Sequence, residues 1–307
     1  MVIREGIVKM RKTKKVLSIL IIALFSVFLV SCGKPETAKK LKEAEDIKIH
    51  YIDVGQGDSE LIQIGDKNIL IDAGTSDKKA LDYLKSIGIT KIDYAIATHP
   101  HEDHIGSMDD VIKAFDIGTF YAPKATTTTK TFENMVKSLK AKNLKMTVPK
   151  VGEEITIGKA TLTFLAPNSE KYEDLNDYSI VVKLKYGNNS FIFMGDAQDI
   201  SEGEMMKKQL DIQADILKVG HHGSHSSTTQ PFLDKVNPKY AVISCEKGND
   251  YGHPHKESLT KLNAKNINIF RTDLNGTIIA TSDGKEISFN VKPVDKASNV
   301  PGTPKKK

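Results

Sequence analysis

The sequence lacks tryptophan and has two cysteines and 7% aromatic residues among its 307 positions. Two cysteines are too few for a disulfide framework or a cysteine-rich zinc module. The scarcity of aromatic residues disfavours a protein that binds nucleic acid on a long platform of stacked bases. Hydrophobic residues make up 39% of the chain and charged residues 27%, so it can form a core and is neither a disordered tail nor a multi-span membrane protein. The length allows one large domain or two small ones.

The central part of the chain, residues 47–291, also has no strong excess of positive or negative charge. The net charge of +5 comes from the two ends, because residues 1–31 carry six Lys or Arg against one Glu, and residues 292–307 carry five Lys against one Asp. Residues 47–291 contain 29 basic and 33 acidic residues. A mildly acidic domain disfavours a protein that holds nucleic acid mainly through a basic surface.

The amino terminus has the pattern of a secretory signal. Five basic residues between positions 9 and 15 precede fifteen mostly apolar residues at 16–30. This run has signal-peptide length and is shorter than the roughly 20 residues of a comfortable membrane span. It ends in LVSCG at 29–33, which resembles a bacterial lipoprotein box. We therefore expect residues 1–31 to be a lipoprotein signal peptide and Cys32 to carry a lipid, with an uncleaved anchor as the alternative. Either arrangement places the rest of the chain at the extracytoplasmic face of the membrane.

The remaining chain divides into a tether, one domain and a tail. Residues 32–46 are rich in Lys and Glu without aromatic residues, which predicts a solvated tether. The Lys- and Pro-containing residues 292–307 predict a disordered end. Residues 47–291 contain strand patterns joined by Gly- and Asp-containing turns, with helical patterns between groups of strands in each half. This order favours an α+β fold in which two sheets pack together with helices outside.

The strongest chemical signal is the sequence THPHEDHIG at 98–106, which follows an apolar strand pattern. Imidazole and carboxylate groups are ligands suited to zinc, and also to manganese or iron. Alternate residues of an extended loop point the same way, so His99 and His101 can bind one ion. Asp103 and His104 are then turned towards a second position by the start of a helix. These four side chains predict a metal site.

Two later clusters follow apolar strand patterns and complete this site. Asp196 comes after a glycine at the end of the strand pattern 190–194, and its two oxygens can bridge two cations. His221 and His222 follow the strand pattern 215–219. Adjacent strand residues face opposite ways, so one of the two histidines is expected to bind a metal ion. The other is expected to contact substrate or to support a ligand.

The order and spacing of these motifs resemble the metallo-β-lactamase-fold hydrolases, whose signature is His-x-His-x-Asp-His. Within them the chain is most similar to the soluble hydrolase domain of the ComEC competence proteins. The motifs that carry the resemblance are DVGQGDS at 53–59, LIDAG at 70–74, the histidine cluster, MGDA at 194–197, HHGS at 221–224 and YGHPH at 251–255. The resemblance covers residues 47–291. It implies a four-layer αββα sandwich with two divalent metal ions at one edge, zinc or, as the alternative, manganese.

The resemblance also implies roles for individual residues. The positions that match metal ligands are His99, His101, Asp103, His104, Asp196 and His221, and Asp72 matches a residue that braces the metal loop. The residues expected to act on the substrate are Asp103, His222, His253 and His255, the histidines as proton donors or anion ligands. For the last two, a surface loop without function is the alternative. Many members carry another ligating histidine before the bridging aspartate, but positions 105–220 contain none. Water or another side chain would then complete that metal site.

These observations predict an extracytoplasmic metal-dependent hydrolase. Divalent ions lower the pKa of bound water towards about 7 and so provide metal-bound hydroxide at neutral pH. The predicted reaction is hydrolysis of a phosphodiester or other anionic substrate, with nucleic acid, a wall polymer or a small diester as candidates. No obligate protein partner is predicted, and the predicted membrane contact is the lipid on Cys32. The alternatives are a non-catalytic metal-binding lipoprotein of competence or envelope machinery, and a β-lactam or ester hydrolase.

Overall fold

The computed structural model describes residues 46–304. The predicted signal peptide, Cys32 and the predicted tether up to residue 45 lie outside the described residues. Within the described range, no helix combines the length and apolar character needed to cross a bilayer.

The first sheet has eight strands and carries helices on its outer face. Its strands are β1 (Ile47–Tyr51), β2 (Glu60–Ile64), β3 (Lys67–Ile71), β4 (Lys91–Ile96), β5 (Asp116–Tyr121), β6 (Met146–Thr147), β14 (Ile278–Ser282) and β15 (Ile287–Phe289). They are ordered β15-β14-β1-β2-β3-β4-β5-β6. The pairs from β15 to β3 are antiparallel, and those from β3 to β6 are parallel. The helices of this half are α1 (Lys79–Ser86), α2 (Glu102–Ile105), α3 (Met108–Ala114) and α4 (Lys130–Ala141).

The second sheet has seven strands and its own helices. Its strands are β7 (Glu154–Ile157), β8 (Ala160–Ala166), β9 (Val181–Tyr186), β10 (Asn189–Phe193), β11 (Ile216–Lys218), β12 (Tyr240–Ile243) and β13 (Asn268–Arg271). They are ordered β13-β12-β11-β10-β9-β8-β7, parallel from β10 to β13 and antiparallel elsewhere. The helices are α5 (Asp199–Lys207), α6 (Gln230–Val236), α7 (Lys256–Ala264) and α8 (Thr272–Asn275). Two 3-10 turns lie at Leu175–Tyr178 and Gly220–Gly223.

Alternating side chains of the strands form the layers. In β10, Phe191 and Phe193 are buried between the two sheets, whereas Ile192 packs in the separate cluster under the helices of the second sheet. Side chains of successive strand residues point to opposite faces, so one strand supplies two cores. Three apolar clusters result, one between the sheets and one under each helical layer. The predicted αββα sandwich is confirmed.

The sandwich brings the carboxyl ends of its parallel strands to one edge. The histidine cluster follows β4, Asp196 follows β10, and the His221–His222 pair follows β11. Open sheets with parallel strands bind ligands in the crevice outside these carboxyl ends. The topology therefore collects the three predicted ligand segments in one place.

The segment 292–304, which the sequence predicts to belong to a disordered end, is hydrogen-bonded to the domain. Its Val294 N–H donates to the Ile269 carbonyl (2.8 Å), and its Gly302 N–H donates to the Pro254 carbonyl (3.0 Å). The guanidinium of Arg271, which is 2% exposed, donates to the Val300 carbonyl. A buried guanidinium requires acceptors. The contacts of the domain thus extend past the predicted boundary at residue 291.

Candidate metal centre

The three ligand segments meet in a cleft of about 490 Å³. The side chains that line it include His101, Asp103, Asp196, His221, His222 and His253. His99 and His104 lie beneath its floor, 1% and 0% exposed. The structure therefore brings together the six predicted ligands, although they come from three parts of the chain.

Asp196 divides the histidines into two groups. Its Oδ1 lies 3.2 Å from Nε2 of His104 and 3.5 Å from Nε2 of His222. Its Oδ2 lies 3.8 Å from Nε2 of His99 and also 3.8 Å from Nε2 of His221. One carboxylate thus faces two sets of imidazole nitrogens, one set at each oxygen.

Two groups of side chains, which both include Asp196, have the composition of a metal site. Ligand atoms of Asp103, His104, Asp196 and His222 lie within 4.8 Å of one another, and so do those of His99, His101 and Asp196. Mixed nitrogen and oxygen donors of this kind suit zinc and other first-row divalent ions. His221 lies beside the same Asp196 oxygen as His99, namely Oδ2.

Unpaired buried atoms test whether a cation fits. His104 Nε2, His222 Nε2 and Asp196 Oδ1 are buried without a hydrogen-bond partner, although they lie close together. Buried polar atoms in folded proteins almost always have partners. A divalent cation among these atoms supplies the missing partner, and the residues present therefore fit one.

His221 and His222 reach the cleft together because they do not belong to a strand. Both have left-handed backbone conformations, with φ of 47° and 53°, in the turn that follows β11. The turn directs the two rings to different oxygens of Asp196. His222, which was expected to act on the substrate, belongs to a candidate ligand group, and His221, the expected ligand, lies at the other oxygen.

Carboxylate and carbonyl groups fix the orientation of two buried histidines. His104 Nδ1 lies 2.7 Å from Asp72 Oδ2, which also accepts from the hydroxyl of Thr98 (2.6 Å). His222 Nδ1 lies 3.0 Å from the carbonyl oxygen of Ser244. A carbonyl can only accept, so His222 carries a proton on Nδ1, and Nε2 is the nitrogen that could bind a metal ion in place of a proton. Asp72 holds the bracing position that the resemblance implies.

A buried ion pair behind His222 was missed by the sequence analysis. Lys218, which is fully buried, lies 2.6 Å from Asp58 Oδ2. The other oxygen of Asp58 lies 3.3 Å from His222 Nδ1. The signal was present in the sequence, since a lysine in the apolar strand pattern 215–219 requires a buried anion and Asp58 stands in the DVGQGDS motif.

The family model of the metallo-beta-lactamase superfamily matches residues 52–246. The chain belongs to the metallo-beta-lactamase superfamily. It is 30% identical over 276 residues to ComE operon protein 3 of Bacillus subtilis, covering 83% of this chain and 36% of that protein. It is 27% identical over 230 residues to competence protein ComA of Neisseria gonorrhoeae, covering 74% of this chain and 31% of that protein. These relatives are ComEC-type competence proteins, and the chain spans about a third of their length.

A solved structure has the same fold. The metallo-beta-lactamase fold protein YhfI from Bacillus subtilis superimposes with a TM-score of 0.51 at 15% identity, covering 77% of this chain and 99% of that one. Membership of this superfamily supports metal-dependent hydrolase activity, and the fold implies divalent metal ions, for which the clusters described above are candidates.

The superfamily site is electrostatically suited to cations. Burial opposes ionisation of Asp196, but the charges of His104 and His222 outweigh it and hold the pKa of Asp196 well below its usual value. Burial would lower the pKa of His222, but Asp196 and Asp58 outweigh it and raise that pKa to about 10. The carboxylates therefore favour positive charge in the position that a metal ion would take.

His253 and His255 differ in placement. His253 lines the cleft, and its burial together with the neighbouring His222 lowers its pKa to about 3, so it is neutral at physiological pH. His255 does not line the cleft. Its Nδ1 accepts from the His225 N–H (3.0 Å) and its Nε2 lies 3.0 Å from the Tyr251 carbonyl oxygen. Both nitrogens of His255 thus bond to backbone groups, and its role in proton donation or phosphate binding stays a prediction.

Proposed function

We propose that the protein is a metal-dependent phosphodiesterase at the extracytoplasmic face of the cell membrane, anchored by a lipid on Cys32. The observation that carries the proposed chemistry is the Asp196 carboxylate, which faces a set of imidazole nitrogens at each of its two oxygens. The location rests on the amino-terminal sequence pattern.

Two cations would share Asp196. One would be held by Asp103, His104, Asp196 and His222, and the other by His99, His101, Asp196 and His221. In this arrangement His221 takes the place of the histidine that is missing between residues 105 and 220. Zinc is the proposed metal, with manganese as the alternative. Bound there, the ions would acidify a water molecule and neutralise the charge of a phosphate.

The chain's own groups position the reactants. The Asp103 side chain is 27% exposed to the cleft and stays ionised, since the charges of His104 and His222 outweigh burial and lower its pKa. It can therefore accept a hydrogen bond from an attacking water and orient it. His253 is neutral and can donate a hydrogen bond to a developing anionic oxygen.

A phosphodiester suits the charge of this cleft. Around the cleft, none of the described lining residues is Lys or Arg. A substrate anion must then be balanced by the cations themselves, and a diester brings a single negative charge at the reacting centre. The similarity to ComEC-type competence proteins supports nucleic acid as a candidate among the phosphodiesters.

A substrate screen tests the proposal. The full-length chain, purified in detergent, is supplied with zinc or manganese and incubated with single-stranded DNA, bis(4-nitrophenyl) phosphate and a cephalosporin. We expect turnover of at least one phosphodiester and its loss in Asp103→Ala. Turnover of the cephalosporin alone would instead support a β-lactam hydrolase. A protein that takes up no metal and turns over none of these would support the non-catalytic alternative.

A further inference from the structure

One aromatic ring stands exposed at the mouth of the metal cleft. Tyr251 lines the cleft and is 64% exposed. Every other Phe and Tyr residue of the described chain is buried or partly buried. Exposing a large aromatic surface has a free-energy cost that contact with a ligand removes. The position of Tyr251 therefore singles it out as a contact for substrate.

The Tyr251 ring begins a series of stacked rings that leads to a metal-ligand candidate. It lies nearly parallel to the His253 ring, at 17° with 5.5 Å between centroids. His253 in turn stacks on His222 at 30° and 6.0 Å. Offset stacking at such distances is favourable for aromatic rings. A planar group stacked on the exposed Tyr251 ring would lie at the mouth of the cleft.

The loop that carries Tyr251 is held in place although the ring is exposed. Buried Asn249 accepts from the N–H groups of Tyr251 (3.1 Å) and His253 (2.9 Å). Its amide nitrogen donates to the carbonyls of Glu246 (2.8 Å) and His253 (2.7 Å). His255 bonds the Tyr251 carbonyl, as described above. A ring fixed before binding loses little conformational entropy when a ligand stacks on it.

The cleft offers the side-chain amides of Gln56 and Asn176 but no cationic side chain among the described lining residues. The exposed Tyr251 ring adds a surface on which a planar group can stack. We propose that Tyr251 is a specificity-determining residue that stacks one planar ring, a nucleobase, next to the scissile phosphate. This inference rests on the proposed phosphodiesterase function and restricts its substrates to base-bearing diesters, excluding ring-free wall polymers. One exposed tyrosine can stack one base, so this role does not require the long row of aromatic residues that the sequence lacks.

Calorimetric titration with two matched ligands tests the role of Tyr251 without requiring turnover. The metal-loaded full-length chain in detergent is titrated with thymidine 5′-phosphate and with 2-deoxyribose 5-phosphate, which lacks the base. Wild type should bind the nucleotide more tightly. Tyr251→Ala should weaken nucleotide binding by about 5- to 150-fold, the effect of one stacked base, and leave the binding of the sugar phosphate unchanged. Tyr251→Phe should retain the wild-type preference.

Controls separate stacking from structural damage. Leu274→Ala removes another exposed apolar side chain, which is 43% exposed and outside the cleft, and should bind both ligands like wild type. Equal affinities of wild type for the two ligands, absence of binding to both, or equal losses in Tyr251→Ala would each overturn the inference. If no phosphodiester is hydrolysed but the base-dependent loss is seen, the proposed function fails while the ring-binding role stands. If hydrolysis occurs without base preference, only the role of Tyr251 fails.

Discussion

Within the described residues, two clefts lie at opposite ends of the same strands. The metal cleft, of about 490 Å³, lies at the carboxyl ends of β10 and β11. A larger cleft of about 640 Å³ lies at their amino ends, where Lys183, Asn189 and Asp215 are among the lining residues. By volume alone, the second cleft would be the stronger candidate for a binding site.

The two clefts differ in how their buried polar groups are paired. In the larger one, buried Lys183 lies 2.8 Å from an Asp211 carboxylate oxygen, and the Asn189 side chain accepts from Ser282 (2.7 Å). At the metal cleft, Nε2 of His104 and Nε2 of His222 have no hydrogen-bond partner. Because these buried polar groups of the larger cleft already have partners within the protein, they need no ligand to satisfy them. Unpaired buried atoms therefore indicate chemistry better than cavity size does.

The largest effect should come from removing the shared carboxylate. We expect Asp196→Ala to lower kcat/KM by about 1,000-fold or more, because both sets of imidazoles lose their common anion. Metal content per chain, measured by mass spectrometry, should fall in parallel. Asp215→Ala, in the larger cleft, should keep wild-type metal content and activity. An Asp196→Ala protein with full metal content would contradict the division into two sets.

Two buried lysines offer a matched test of positioning. Lys218→Met removes the cation that holds Asp58 behind His222, so we expect metal affinity to fall by about 10- to 100-fold. Competition with a chromogenic chelator measures this loss directly. Lys183→Met breaks an ion pair in the larger cleft, where the lysine is buried and its Asp211 partner is exposed, and should leave metal affinity unchanged. Equal losses in the two variants would mean that the Lys218 effect reflects general destabilisation.

Two buried asparagines compare the loops beside the clefts. Asn249→Ala removes four hydrogen bonds within the loop that carries Tyr251 and His253. We expect KM to rise by about tenfold with a smaller change in kcat, since a loosened loop must be ordered on binding. Steady-state kinetics on the best phosphodiester measures both constants. Asn189→Ala in the larger cleft is the control, and a similar rise of KM there would argue against a loop-specific effect.

The smallest effect concerns Glu60, a buried carboxyl near the Asp58–Lys218 pair. Burial, reinforced by the charge of Asp58, raises the pKa of Glu60 well above its usual value of 4.5. A raised carboxyl pKa gives stability that is complete below the unfolded-state pKa and is lost as pH rises through the folded-state pKa. Glu60→Gln cannot ionise, so its free energy of unfolding should fall less between pH 5 and pH 9, by about 1 kcal/mol or more.

Urea unfolding at several pH values measures this difference. Glu154 is exposed to solvent, so Glu154→Gln should show the same dependence of the free energy of unfolding on pH as wild type. A parallel profile for Glu60→Gln would show that Glu60 does not lose its proton in the folded protein within this range.

Much of the fold follows from local patterns. The apolar residues of β10 predict a strand that is buried on both faces. Phe191 and Phe193 are buried on one face and Ile192 on the other. The histidine cluster at 98–106 predicts metal binding because its ligand types are adjacent in the chain. Patterns of this kind depend on short-range periodicity and are visible without tertiary structure.

Other features depended on contacts between distant residues. Lys218 and Asp58 are 160 positions apart, and only the packing of the two sheets joins them. The left-handed turn at His221 and His222, which the strand pattern does not predict, brings both rings to Asp196. His225 and Tyr251 occupy the nitrogens of His255 from two different loops.

The sequence by itself determined the ligand types and an α+β order of strands and helices, since side-chain chemistry and hydrophobic periodicity are local properties of the chain, and the family resemblance of its motifs implied the sandwich. Only the tertiary structure decided which nitrogen faces which oxygen of Asp196, which buried groups are left unpaired, and which ring stands at the mouth of the cleft. These depend on backbone turns and on contacts between segments far apart in sequence, whose free energies are settled when the two sheets pack.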